Sequence, residues 1–120
     1  MSIINLTQHA ATAEQLAAGV VDLPTDQKAA LQVLLTFDDI PSADDIRARA
    51  ALVAALAGGH EAAMIGGALW LMGPLTAALR VAGVRPVFAF TRREAEEQPQ
   101  PDGSVKKVQV FRHAGFVEAA

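Results

Sequence analysis

Short apolar runs alternating with helical stretches, followed by a turn-linked pair of strands, place this 120-residue chain in the α/β class. Ala-rich segments with apolar residues at three- and four-residue spacing separate the early runs, so helices connect those strands and the sheet core is parallel. The last two runs are joined by Gln100-Pro101-Asp102-Gly103-Ser104, too short for a crossover, and therefore form a C-terminal antiparallel β-hairpin. The expectation is a mostly parallel sheet flanked by helices, in the order β-α-β-α-α-β-α-β-β, as one domain over residues 1–120.

Ile3-Ile4-Asn5-Leu6-Thr7 reads as the first strand and runs straight into Gln8-His9. Thr12, with Gln15 three residues on, has the capping-box spacing of a short helix, which Gly19 ends. Val20 to Leu23 is a second short strand or a loop, stopped by Pro24. Thr25 is expected to cap a helix through Thr36, and Phe37-Asp38-Asp39-Ile40-Pro41 breaks it. Ser42, with Asp45 at the third helical position, opens the best-signalled helix, whose stripe is Ile46, Ala50, Val53, Ala54 and Ala57. Arg47 and Arg49 lie off that stripe and are expected to be solvated, and Gly58-Gly59 ends the helix. Glu61 to Ile65 leads into Gly66-Gly67, and a helix follows from Leu69 to Ala82 with Gly83 as its cap. Pro74 within it marks a kink or the helix's real first turn. Val84 to Phe90 is expected to be a strand buried on both faces, delivering Thr91, Arg92 and Arg93 at its carboxyl end. Val105 to Phe111 alternates as a half-exposed strand ending in Arg112 and His113, and Glu96 to Ser104 reads as the mobile part.

Composition narrows the function. Hydrophobic residues make up 52% of the chain, yet no run approaches the roughly 18 apolar residues of a membrane span. The first residues lack the basic-then-apolar layout of a signal peptide, and the absence of cysteine leaves no disulfide scaffold or thiolate metal site. A cytoplasmic protein is the default. Net charge is −3, which argues against a duplex nucleic-acid binder that relies on counterion release. Seven of the ten basic residues fall from Arg80 onward, while six aspartates lie between Asp22 and Asp45. A local basic patch on an acidic protein suits a small anionic ligand.

Nucleophile chemistry finds little support, because Ser2, Ser42 and Ser104 lie at the terminus, a cap and a turn, away from any nucleophile elbow. His9, His60 and His113 show no ligand spacing, so no metal and no cofactor is expected. Asp38-Asp39 and Asp44-Asp45 are accounted for by helix ends. His9 either lines the ligand rim or caps a loop; His113 either joins the site or packs on the hairpin. Gly66-Gly67, between a strand and a helix, either lets backbone N–H groups approach a phosphate or only permits a tight turn. What remains is an anion-binding set at strand carboxyl ends: Thr7, Gln8 and His9, then Gly66 and Gly67, then Thr91, Arg92 and Arg93.

Those segments carry a resemblance. The opening N-L-T-Q-H-A-A-T-A-E-Q, then V-V-D-L-P, F-T-R-R-E and D-G-S-V-K-K-V-Q-V-F-R-H-A-G-F resemble the small stand-alone CRISPR-associated proteins with a CARF-like Rossmann fold, the type III ring nucleases. The matching positions are Thr7 with His9, Thr91 with Arg93, and Phe111, His113 and Phe116. The resemblance implies a homodimer whose joint cleft binds a cyclic oligoadenylate, most readily cyclic tetra-adenylate. It further implies metal-free cleavage, in which a ribose 2′-hydroxyl attacks its neighbouring phosphate and leaves a 2′,3′-cyclic phosphate. His9, Thr91 and Arg93 would be catalytic, with Thr7, Gln8, Gly66, Gly67, Arg92 and His113 binding ligand. Such a reaction needs positioning and charge stabilisation more than a strong protein nucleophile. A non-catalytic sponge or sensor would use the same rim, and an unrelated metabolite ligand is a third reading.

Overall fold

The structure, a computed structural model, describes residues 2–120. Its elements are β1 (Ile3–Asn5), α1 (Ala13–Ala17), β2 (Val20–Val21), α2 (Thr25–Leu35), α3 (Ala43–Ala55), β3 (Ala62–Met64), α4 (Leu69–Val81), β4 (Arg85–Pro99) and β5 (Val105–Glu118). The strands form one sheet in the order β2-β1-β3-β4-β5, with the first four parallel and β5 antiparallel to β4. The expected element order, the mostly parallel sheet and the closing hairpin are all present. Val20–Val21 is a strand, paired with Ile3 and Ile4.

Alternation of side chains sorts the sheet into two faces. Ile4, Leu6, Ala63 and Ile65 share a cluster with Leu31 and Leu35 of α2, Val53 of α3 and Leu71 and Leu75 of α4. Ile3, Val20, Ala62, Met64 and Val87 form a smaller cluster on the opposite face, covered by Ala11 and Phe116. Burial on both faces is what a short parallel strand requires, and it explains the unbroken apolar runs of β1 and β3. Among the described residues, no helix is long and apolar enough to cross a membrane.

Local signals were kept where a side chain had a backbone donor to satisfy. Thr12 accepts from Gln15 N while the Gln15 side chain accepts from Thr12 N, completing the capping box, and Ser42 accepts from Asp45 N at 3.1 Å. Thr25 does not cap α2: Pro24 holds the cap position without a side-chain bond, and Thr25 is the first helical residue. Arg49 is not simply solvated. Its guanidinium stacks 4.3 Å over Phe37, donates to the carbonyls of Leu34 and Thr36 at the end of α2, and pairs with Asp45, tying α3 to the preceding helix. Arg47 is exposed beside Asp44. Helix α4 runs through Pro74 unbroken, so the proline does not mark its first turn.

The largest departure is the hairpin. β4 is buried only through Val87, and Ala89 and Phe90 are already exposed, so it is not a strand buried along both faces. Both strands continue far past the helices, β4 to Pro99 and β5 to Glu118, paired from Thr91↔His113 out to Pro99↔Val105. Residues 96 to 99 are therefore strand, and only the Pro-Asp-Gly turn caps the tip. A bulge at Phe90/Thr91, where β5 passes Ala114 without a partner, marks the junction of body and arm. The arm stretches the molecule to 58 × 35 × 30 Å and raises its radius of gyration to 17.2 Å, against about 14 Å for a compact chain of this length.

Candidate functional site

The carboxyl ends of the parallel strands open on a cavity of about 460 Å³. Backbone bonds from Leu6 N to Met64 O and from Ile65 N to Val87 O, both 2.9 Å, carry the sheet ladder to this edge. Thr7, Gln8 and His9 line the cavity after β1, Gly66 and Gly67 after β3, and Phe88 and Ala89 from β4. Thr12, the N-cap of α1, and Gln15 within that helix also line it.

A buried asparagine shapes the first of these loops. Asn5 Nδ2 donates to His9 O at 2.7 Å and to Asp22 Oδ1 at 2.8 Å, while its Oδ1 accepts from Thr7 N at 2.9 Å and Thr7 Oγ1 at 2.7 Å. Every donor and acceptor of the amide is thereby used. Asp22 Oδ1 also accepts from Ala11 N at 3.2 Å, so β1, its loop and the segment after β2 are one network. Gln8 is fixed by α2, its carbonyl accepting from Gln32 Nε2 at 2.9 Å. Thr7 thus directs its proton into the loop and offers the cavity only lone pairs. His9 has no side-chain hydrogen bond among the described residues and is exposed, so its ring is free for a ligand. Asn5 and Asp22 are the site residues that sequence reasoning missed. The signal was available: a polar residue inside the apolar run I-I-N-L-T, with an acid ending V-V-D.

The glycine pair does two different jobs. A Cβ on Gly66 would sit 3.6 Å from Thr7 Cγ2, so the loops after β1 and β3 touch there. Gly67 has φ of 133°, a conformation that side-chain-bearing residues rarely adopt, with open space around it. α4 begins immediately after, and its cap residue Ala68 offers no side-chain acceptor to the first-turn N–H groups. The glycine pair itself lines the cavity, whereas neither Ala68 nor a first-turn residue of α4 does, and Leu71 N is already bonded to Ala68 O at 3.0 Å.

Thr91, Arg92, Arg93 and His113 do not line the cavity. All four are on the arm, beyond the bulge. Thr91 and Arg93 share one face of β4 with Ala89, and Arg92 faces the other way, opposite Arg112. At a strand rise of about 3.3 Å per residue, Arg93 lies roughly 13 Å along the chain from Ala89. Arg93 sits over the Phe111 ring at 5.5 Å, and neither it nor Arg92 makes an ion pair among the described residues. Arg112 is held by Glu94 and Glu96. His113 packs edge-on against Phe116 at 4.9 Å, its backbone N donates to Glu14 of α1 at 3.2 Å, and its Nδ1 is buried without a partner. His60 is away from the cavity, bonded to Ser2 Oγ at 3.0 Å. The described residues contain no group of three or more metal-ligating side chains.

A family model, described as the Uncharacterized protein MJ1673 family, matches residues 1–117, so the chain belongs to that family. No curated protein and no solved structure matches it.

Proposed function

We propose that this member of the MJ1673 family is a ring nuclease with a CARF-like Rossmann fold, which binds a cyclic oligoadenylate and cleaves it to switch off type III CRISPR signalling. The observation that supports the reading best is convergence: the Thr7-Gln8-His9 loop and the Gly66-Gly67 turn, distant in sequence, line one cavity at the carboxyl edge of the parallel strands. In open α/β sheets that edge is where nucleotides bind, with phosphate held by glycine-loop backbone and helix N-terminal N–H groups.

In the proposed reaction a ribose 2′-oxygen forms a bond to the adjacent phosphorus as the 5′-oxygen leaves. The 2′-proton is lost and the departing oxygen gains one, giving a 2′,3′-cyclic phosphate and a free 5′-hydroxyl. His9 would move one of those protons; its presence at the cavity wall without another side-chain hydrogen bond among the described residues supports that role. Charge on the phosphorane would be met by backbone N–H groups of the Gly66-Gly67 turn and by Arg93, which shares a face of β4 with the cavity-lining Ala89. The cavity has the size of a single small-ligand site, smaller than a ring of four nucleotides, so cyclic tetra-adenylate calls for two facing cavities in a homodimer.

Incubation with cyclic tetra-adenylate in EDTA, followed by chromatography, tests the reading. Linear products ending in 2′,3′-cyclic phosphate are expected, and His9→Ala should abolish them while leaving the ligand retained. One feature favours a sponge instead: His9 is the only titratable side chain lining the cavity among the described residues. Intact but retained ligand would select that alternative, and ligand neither retained nor cut would overturn both.

A further inference from the structure

The arm makes almost no contact with its own body. Beyond the bulge its chief tie is the bond from His113 N to Glu14, and a two-stranded ribbon without a third strand or a helix is marginal in water. One of its faces carries Arg93, Lys107, Phe111 and Val105, with Phe111 63% and Val105 56% exposed. Against those two cations the same face has one carboxylate, Glu97, and neither cation is in an ion pair among the described residues. On the opposite face Arg112 bridges Glu94 and Glu96 and Val108 and Val110 are half-buried, so that face exposes no comparable apolar surface, although Arg92 and Lys106 there are also outside any ion pair among the described residues.

The body supplies the complement. Where α2 passes into α3, the connection Phe37 to Pro41 packs on Trp70 of α4 and encloses a cavity of about 610 Å³. Ile40 is 98% exposed, Leu69 87% and Trp70 50%, and Asp38 and Asp39 flank them without cationic partners among the described residues. This apolar, acidic rim lies at the carboxyl edge of the sheet, because α4 starts there, and the arm leaves from the same edge.

We infer that the arm of one copy clasps the rim of a second copy, with the Phe111 face of the arm against Ile40 and Trp70 and with Lys107 facing Asp38 and Asp39, while Arg93, nearer the body, is left to the ligand. A second copy fits because both halves of the complement are on one chain and on one edge. A two-fold rotation then satisfies two arms and two rims at once and closes the assembly. It also sets the two 460 Å³ cavities toward each other. The clasp deepens the homodimer reading above, and its test uses no nucleotide, so its failure is separate from a failure to bind or cleave.

Light scattering should give about twice the 12.6 kDa chain mass. Arg92 and Arg112 are a cross-strand pair, so joining them through Asn-Gly closes a shorter hairpin. That variant should be monomeric, with the helical circular dichroism signal of the body retained and only strand signal lost. Lys107→Glu and Asp39→Lys should each weaken the dimer about three- to tenfold, and mixing the two proteins should restore it, because the mixed dimer has one native and one charge-swapped contact. A monomeric parent overturns the clasp. So does a shortened variant that remains dimeric, or a mixture no tighter than its components.

Discussion

Asn5 spends all four of its hydrogen-bonding positions on the loop that presents His9, which makes it a support of the site. Asn5→Ala should cost about 1 to 3 kcal/mol, because Asp22 and the Thr7 backbone lose a buried partner. Asn5→Asp should cost more, since it sets a carboxylate beside that of Asp22, 2.8 Å away in the parent. Urea titration of the two variants checks the order, and an unaffected Asn5→Asp would refute the network. Arg93 and Arg92 differ by the face they occupy. Arg93→Ala should lower affinity for cyclic tetra-adenylate, or its cleavage rate, by about ten- to hundredfold, the loss of one charge-assisted contact of roughly 1.5 to 3 kcal/mol. Arg92→Ala, across the ribbon and beside Arg112, should do distinctly less. Equal effects in both would detach the arm from the phosphate.

Elements were legible in the sequence where a local bond decides them. Thr12 and Ser42 each have a residue three positions on whose backbone N–H they accept, and both cap as expected; Thr25 has Lys28 at that distance, and the helix takes it in as its first residue. The length of β4 was not legible, because apolar alternation stops at Phe90 and the charged 91–97 stretch resembles a rim loop. It persists as strand because β5 satisfies its backbone without burial. Arg49 was misread for a related reason: a helical wheel shows its angle, and not the open carbonyls of α2 within reach. In the glycine turn, Gly66→Ala should be nearly neutral for stability, its Cβ meeting Thr7 only at van der Waals distance, whereas Gly67→Ala should cost about 1 to 3 kcal/mol at its positive φ. Thermal unfolding of the pair distinguishes them; equal losses would mean the turn is set by packing. At the arm's tip, hydrogen bonds from Ser104 Oγ and Ser104 N hold the Asp102 carboxyl below its usual pKa. Being depressed on folding, it supports the turn fully above the ordinary carboxylate range and loses that support as pH falls through the lowered value. Amide shifts at Gly103 and Ser104 should follow that titration while those of β1 stay still.

At the scale of the molecule, the sequence could place the strands' order of appearance and their carboxyl-edge loops, because periodicity and connection length are local records of a parallel sheet. It could not show that the basic segment leaves the body, since nothing within one chain packs against the arm. That separation has a thermodynamic signature. Arm residues 91 to 112 are absent from both buried clusters, so the core of the body does not depend on them. If two copies clasp, unfolding must first part them, and apparent stability rises with concentration by roughly 1.4 kcal/mol per tenfold, counted per dimer. The urea midpoint of the full chain should therefore move upward between micromolar and hundred-micromolar samples. The midpoint of the chain with Arg92 joined to Arg112 should not move, and should match the full chain's at high dilution. A concentration-independent midpoint for the full chain would leave the arm without a partner of its own kind. A shortened chain that is less stable than the parent at every dilution would show that the arm supports the body after all.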